Sequence, residues 1–110
     1  MALLVLTIDE PIGIPEKEWE AYSKKRAQWI QTTLQQPGVK EFRAYMNPHL
    51  STPAAMGCWE FDSLGSILAY LGSQVANDLT IEMRGAGCTN ITYQVWDESP
   101  AIPKPLKPTG

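Results

Sequence analysis

Apolar positions in this chain switch between a two-residue and a three-to-four-residue repeat, and the switches mark out its elements. Leu3 to Ile8 is an unbroken apolar or β-branched run, with Leu3, Val5 and Thr7 on one side and Leu4, Leu6 and Ile8 on the other. Neither side is polar, as in a strand buried on both faces of its sheet. Asp9 to Ile14 reads as a loop through Pro11 and Gly13, and Pro15 suits the first turn of a helix. That helix is predicted from about residue 15 to 36, with Glu16 and Glu18 at its positive end and Pro37-Gly38 as its stop. One face gathers Trp19, Tyr22, Arg26, Trp29, Ile30, Thr33 and Leu34; the opposite face carries Lys24, Gln28, Gln31 and Gln35. Val39 to Met46 alternates as a second strand, and a third is predicted from about Ala54 to Phe61, after a loop through Asn47-Pro48-His49 and Ser51-Thr52-Pro53. Asp62 or Ser63 caps a second helix whose apolar stripe is Leu64, Ile67, Leu68, Leu71, Val75, Leu79 and Met83. Gly72-Ser73 breaks that helix, Ser73 recaps it, Gly85-Ala86-Gly87 ends it, and Asn90 to Trp96 is the last strand.

The order β-α-β-β-α-β is that of α+β ferredoxin-like folds: a four-stranded antiparallel sheet, strand order 4-1-3-2, with the helices on one face. The doubly apolar first strand fits a central position. Residues 1–98 form this domain, and residues 99–110, with Pro100, Pro103, Pro105 and Pro108, form an extended tail. The helix-free sheet face then presents apolar side chains to water, and a second copy packed sheet to sheet covers them. A homodimer is therefore expected, against the alternative that the tail alone shields this face. Cys58 and Cys88 lie two strand spacings apart, roughly 9–10 Å, too far for a disulfide, and Cys58 reads as a small buried hydrophobe.

Composition narrows the function classes. The chain has 110 residues, 44% of them hydrophobic, and a formal net charge of −3. The basic cluster Lys24-Lys25-Arg26 reads as solvated helix surface, so no nucleic-acid partner is expected. No run is long enough to span a membrane, and the apolar stretch from Met1 to Leu6 lacks the basic flank and cleavage site of a signal peptide. Two thiols outside any metal-ligand spacing suit a cytoplasmic protein without a bound metal.

Three stretches carry a family likeness: Pro37-Gly38-Val39-Lys40-Glu41-Phe42-Arg43-Ala44-Tyr45, Trp59-Glu60-Phe61-Asp62-Ser63-Leu64, and Glu82 through Thr92. With the element order, the chain resembles the dimeric α/β barrel proteins of the antibiotic-biosynthesis monooxygenase type up to about Glu98. The resemblance implies a dimer and a ligand site between the first helix and the sheet. Members oxidise aromatic polyketides or quinol-like substrates with dioxygen and no cofactor, degrade haem, isomerise, or have no known reaction. The haem-degrading pattern asks for Asn on the first strand and Trp and His near the second helix; here the first strand has no Asn, and the second helix has Asn77 but no His. The cofactor-free enzymes use Trp, Asn and Arg around the substrate; Trp59 and Arg84 are present, but no catalytic residue is carried over.

Candidate site residues follow from the side that this implies. Arg26 falls within roughly 20° of Trp19 on the helix, where it can hold a carboxylate or a developing oxyanion, be satisfied by an internal carboxylate, or cover apolar surface with its stem. Tyr22, Trp29, Tyr45 and Trp59 form either an aromatic wall for a flat substrate or plain core. His49 reads as a loop surface residue and Arg84 as a helix-dipole partner. The leading function is a small-molecule-binding dimer, its ligand aromatic or polyketide-like and its reaction a cofactor-independent oxidation. The alternative is a non-catalytic homodimer whose own aromatic side chains fill the cleft.

Overall fold

A computed structural model describes residues 2–49 and 52–109. Met1, Ser51 and Gly110, which the sequence reading puts in the N-terminal apolar run, a loop and the tail, lie outside them. The elements run β1 (Ala2–Asp9), α1 (Glu16–Leu34), β2 (Val39–Met46), β3 (Ala55–Phe61), α2 (Leu64–Leu71), α3 (Gln74–Gly85) and β4 (Thr89–Trp96). The strands form one antiparallel sheet in the order β2-β3-β1-β4, the ferredoxin-like order read from the sequence. A single chain does not close this sheet into a barrel. The expected break between the two pieces of the second helix is present, and Ser63 and Ser73 each accept a backbone N–H in the first turn that follows, Ser66 at 3.1 Å and Ala76 at 3.3 Å.

Alternation along the strands sorts the two faces. On the helix side the register aligns Leu4 with Trp59 and Phe42, Leu6 with Gly57 and Ala44, and Ile8 with Ala55 and Met46. On the other side Val5 opposes Cys58 and Gln94, and Leu3 opposes Glu60 and Trp96. The core lies between β1, β3 and the helices α2 and α3, where Leu4, Phe61 and Ile67 are fully buried. From Ser99 to Thr109 the chain carries neither helix nor strand and is exposed throughout.

Two expectations are corrected. Cys58 is only half-buried, because it lies on the helix-free face, whereas Cys88 is buried; both thiols are free. The stripe read for the second helix is also rotated: α2 buries Ile67 and Tyr70 and leaves Leu64 and Leu68 exposed. Its sequence, LGSILAYL, is apolar nearly all round, so periodicity alone does not fix which side faces in.

The end of β1 is tied down by Asp9. Its carboxylate accepts the Ala54 N–H at 2.8 Å, the Asn90 side-chain amide at 2.6 Å and the Thr52 hydroxyl, joining β1, the β2–β3 loop and the start of β4. The Thr52 and Asn90 bonds hold the Asp9 carboxyl below its ordinary value of 3.8. The folded state therefore binds this proton less readily than the unfolded chain. Its stabilisation is present above pH 3.8 and is lost as the pH falls through the lower folded value. Thermal melts of the wild type and Asp9→Asn should accordingly differ at pH 6 and converge in acid; a constant difference across that range would show that Asp9 is not the coupled group.

Candidate functional site

The sheet leaves space beneath α1. In the row beside the Leu4–Trp59–Phe42 row, two of the four inward positions are Gly57 and Ala44, with Leu6 and Tyr93 the others, and in the next row Ala55 is inward. None of these reaches the helix, and a cavity of about 520 Å³ opens there. That volume falls in the range of small-molecule sites. Gly57 is needed where it stands: a Cβ would come within 2.9 Å of the Phe42 ring and 3.2 Å of the Trp59 ring. Those two rings lie 4.8 Å apart between centroids and wall one end of the cavity.

Four of the five sequence candidates come together on its walls: Tyr22, Arg26, Trp29 and Trp59. Each is also held by the protein itself. The buried Trp59 indole donates to Thr33 Oγ1 at 2.8 Å, and Thr33 in turn donates to the Ile30 carbonyl at 2.6 Å, which explains a buried threonine on α1. The Trp29 indole donates to Glu82 on α3 at 3.2 Å, so α1 and α3 are bridged across the site. Tyr45 is different. It borders the cavity from the edge strand, but it sits in the alternate register opposite Met56, and its hydroxyl bonds Arg43 on the helix-free face. Period-two geometry separates it from Phe42, Ala44 and Met46. His49 is an exposed loop residue whose N–H donates to Asn47 Oδ1 at 3.0 Å.

The other end of the cavity is built around Glu10, which the sequence reading did not single out. Its Oε2 accepts the Tyr22 hydroxyl and the Arg26 guanidinium, both at 2.6 Å. Arg26 also lies 5.8 Å from the Trp19 ring centroid and 5.6 Å from that of Tyr22, within cation–π range. The internal carboxylate foreseen as one way to satisfy Arg26 is therefore present. Because Tyr22 gives its proton to Glu10, the Cys88 thiol 3.5 Å away is the donor to the Tyr22 oxygen. Burial first, then the bond to the Glu10 carboxylate and its charge, pushes the Tyr22 phenol far above its ordinary value, so it stays protonated. Burial likewise raises the Cys88 thiol.

The third wall is phenolic. Tyr70 and Tyr93 both line the cavity. Thr80 Oγ1 lies 3.0 Å from the Ala76 carbonyl, to which it donates, so the Tyr93 hydroxyl 2.8 Å away donates to Thr80. Tyr70 is 8% exposed, and its hydroxyl has no hydrogen-bond partner among the described residues. Its ring packs 6.1 Å from Phe61. Among the described residues there is no cluster of His, Cys, Asp and Glu suited to a metal ion, and no helix is long and apolar enough to cross a membrane.

No family model matches the chain, and no curated protein matches it. Solved structures do. A candidate antibiotic biosynthesis monooxygenase from Deinococcus radiodurans superposes with a TM-score of 0.71 at 11% identity, covering 100% of both chains. A dimeric protein of unknown function with a ferredoxin-like fold, from Bacteroides fragilis, gives 0.63 at 11% identity over 87% of this chain and 94% of its own. A candidate monooxygenase from Shewanella loihica gives 0.57 at 14% identity, over 87% and 90%. At such identities the likeness speaks for the fold: the chain is a distant structural relative of the antibiotic biosynthesis monooxygenase-like proteins and shares their ferredoxin-like architecture.

Proposed function

We propose that this protein binds a small, flat, mainly apolar molecule, aromatic or polyketide-like, between α1 and the sheet, and does so as a homodimer. The cavity carries this reading. Small side chains on β2 and β3 leave about 520 Å³ open in a space that the aromatic residues of α1 and β3 line. A purely structural core would be filled, since interiors pack to crystal-like density. The reaction that suits such a site is oxidation by dioxygen without a cofactor, in which the substrate supplies the electrons. The protein's part is then to strip water from the substrate and orient it, with the Glu10–Arg26–Tyr22 cluster as the polar end. Tyr22, Arg26, Trp29 and Trp59 are the contacts of this proposal, and Tyr45 belongs to it only at the edge.

One observation favours the second reading, a ligand-binding dimer without turnover. Arg26, Tyr22, Trp29 and Trp59 all have internal partners, and Arg26 in particular faces Glu10 instead of an open anion site. The dimer rests on the helix-free face, where Leu3 and Tyr45 are exposed and Trp96 is 54% exposed. The tail does not cover them, because its own Ile102 and Leu106 stand in solvent. The Bacteroides fragilis relative of the same fold is dimeric.

A native mass spectrum of freshly purified protein tests both parts. The expected species has twice the chain mass and carries retained non-covalent mass. Trp96→Glu, which puts a charge into the proposed interface, should shift it to the monomer. A wild-type monomer would remove the sheet-to-sheet arrangement, and failure of any flat aromatic to bind in dialysis would remove the cavity reading.

A further inference from the structure

Among the hydroxyl, amide and acid groups around the cavity, Tyr70 stands apart. Tyr22, Tyr93, Arg26, Trp29 and Trp59 all donate to protein acceptors. The Tyr70 hydroxyl donates to none among the described residues, although its side chain is more than nine-tenths buried. Every fully enclosed side-chain oxygen or nitrogen among those residues has a partner, so this hydroxyl is not fully enclosed. Tyr70 itself lines the cavity.

We infer that Tyr70 is a specificity-determining residue, which donates a hydrogen bond to an oxygen acceptor, such as a ring carbonyl, on the molecule the cavity holds. The inference rests on the binding reading above and adds a polarity requirement to it. Burial, with Tyr93 nearby, pushes the Tyr70 phenol up to about 12, so it keeps its proton through the neutral range and acts as a donor. A ligand without an acceptor at that wall leaves a donor unpaired in apolar surroundings, and sites that hydrogen-bond a ligand discriminate strongly against analogues lacking the group. Phe61 packs against the Tyr70 ring and fixes its direction, so the donor is set before a ligand arrives.

Fluorene and 9-fluorenone test this, because they share one rigid tricyclic frame and differ by a carbonyl. Equilibrium dialysis should show wild-type protein preferring fluorenone by about tenfold, the equivalent of one good hydrogen bond. This preference runs against hydrophobic transfer, which favours fluorene. Tyr70→Phe keeps the ring and its packing, and should abolish the preference by weakening fluorenone binding while fluorene binds as well as before or better, since no donor is left unpaired, a pattern that loss of structure would not give. A preference that survives in Tyr70→Phe, or is absent from the wild type, overturns the inference. If both ligands bind wild type equally and neither binds Ala44→Phe, Tyr70 loses its role and the cavity keeps its own. If neither binds the wild type, the inference falls together with the binding reading.

Discussion

Glu10→Leu should destabilise the fold by about 2–3 kcal/mol, most of it through Tyr22. That hydroxyl is buried, and among the described residues Glu10 is its only strong acceptor; an unpaired buried hydroxyl costs about 1–3 kcal/mol. The Arg26 share is smaller. Its side chain is 40% exposed against 18% for Glu10, so water takes over much of the lost pairing and that share stays under about 1 kcal/mol. For a domain of this size the melting temperature should fall by about 10 °C. A second substitution separates the causes. Glu10→Leu with Tyr22→Phe removes the orphaned hydroxyl together with its acceptor, and should recover about 1–2 kcal/mol relative to Glu10→Leu alone. A double variant no more stable than the single one would mean that Tyr22 and Glu10 are not energetically coupled. Arg26→Met on the wild type should be mild in comparison, because the Tyr22 bond persists.

What the sequence discloses and what it hides follow from the range of the signals. Element order, the break at Gly72-Ser73 and the central place of β1 are local or nearly local facts, carried by periodicity, punctuating residues and a strand with no polar face. Tyr22, Arg26 and Trp29 were visible because a long helix has a definite phase, and Trp59 because it sits in a strand beside that helix in space. Glu10 was not visible. It follows the last residue of β1, where no repeat applies, and its partners lie 12 and 16 positions further on. Tyr70 was hidden for another reason: α2 has eight residues, apolar on nearly every side, so its inward face is chosen by the sheet beneath it. The cavity did leave a trace. Ala44, Ala55 and Gly57 take alternate positions on adjacent strands, an inward patch without bulk opposite a helix rich in it. Reading that trace requires the β2–β3 register, which fixes that Ala44 and Gly57 are partners and not merely small.

The same patch gives the largest expected effect on function. Ala44→Phe should lower the affinity for 9-fluorenone by about 100-fold or more, some 2.7 kcal/mol, while leaving the melting temperature unchanged or raised. Ala44 faces the cavity and not packed core, so a phenyl ring placed there displaces ligand volume without driving another side chain off its rotamer. This is the opposite of enlarging a residue in a filled interior, where overpacking costs about 1–3 kcal/mol of stability. Gly57 is not an equivalent site, because any Cβ there meets the Phe42 and Trp59 rings, and lost binding would be confounded with lost packing. Ala44→Val supplies the graded control: a smaller group should give an intermediate loss, following occupied space and not chemistry. Full affinity in Ala44→Phe with an unchanged melt would place the ligand elsewhere on the molecule. A large drop in melting temperature would instead mean that the space beneath α1 is closed in solution, its aromatic side chains having met across Ala44 as core.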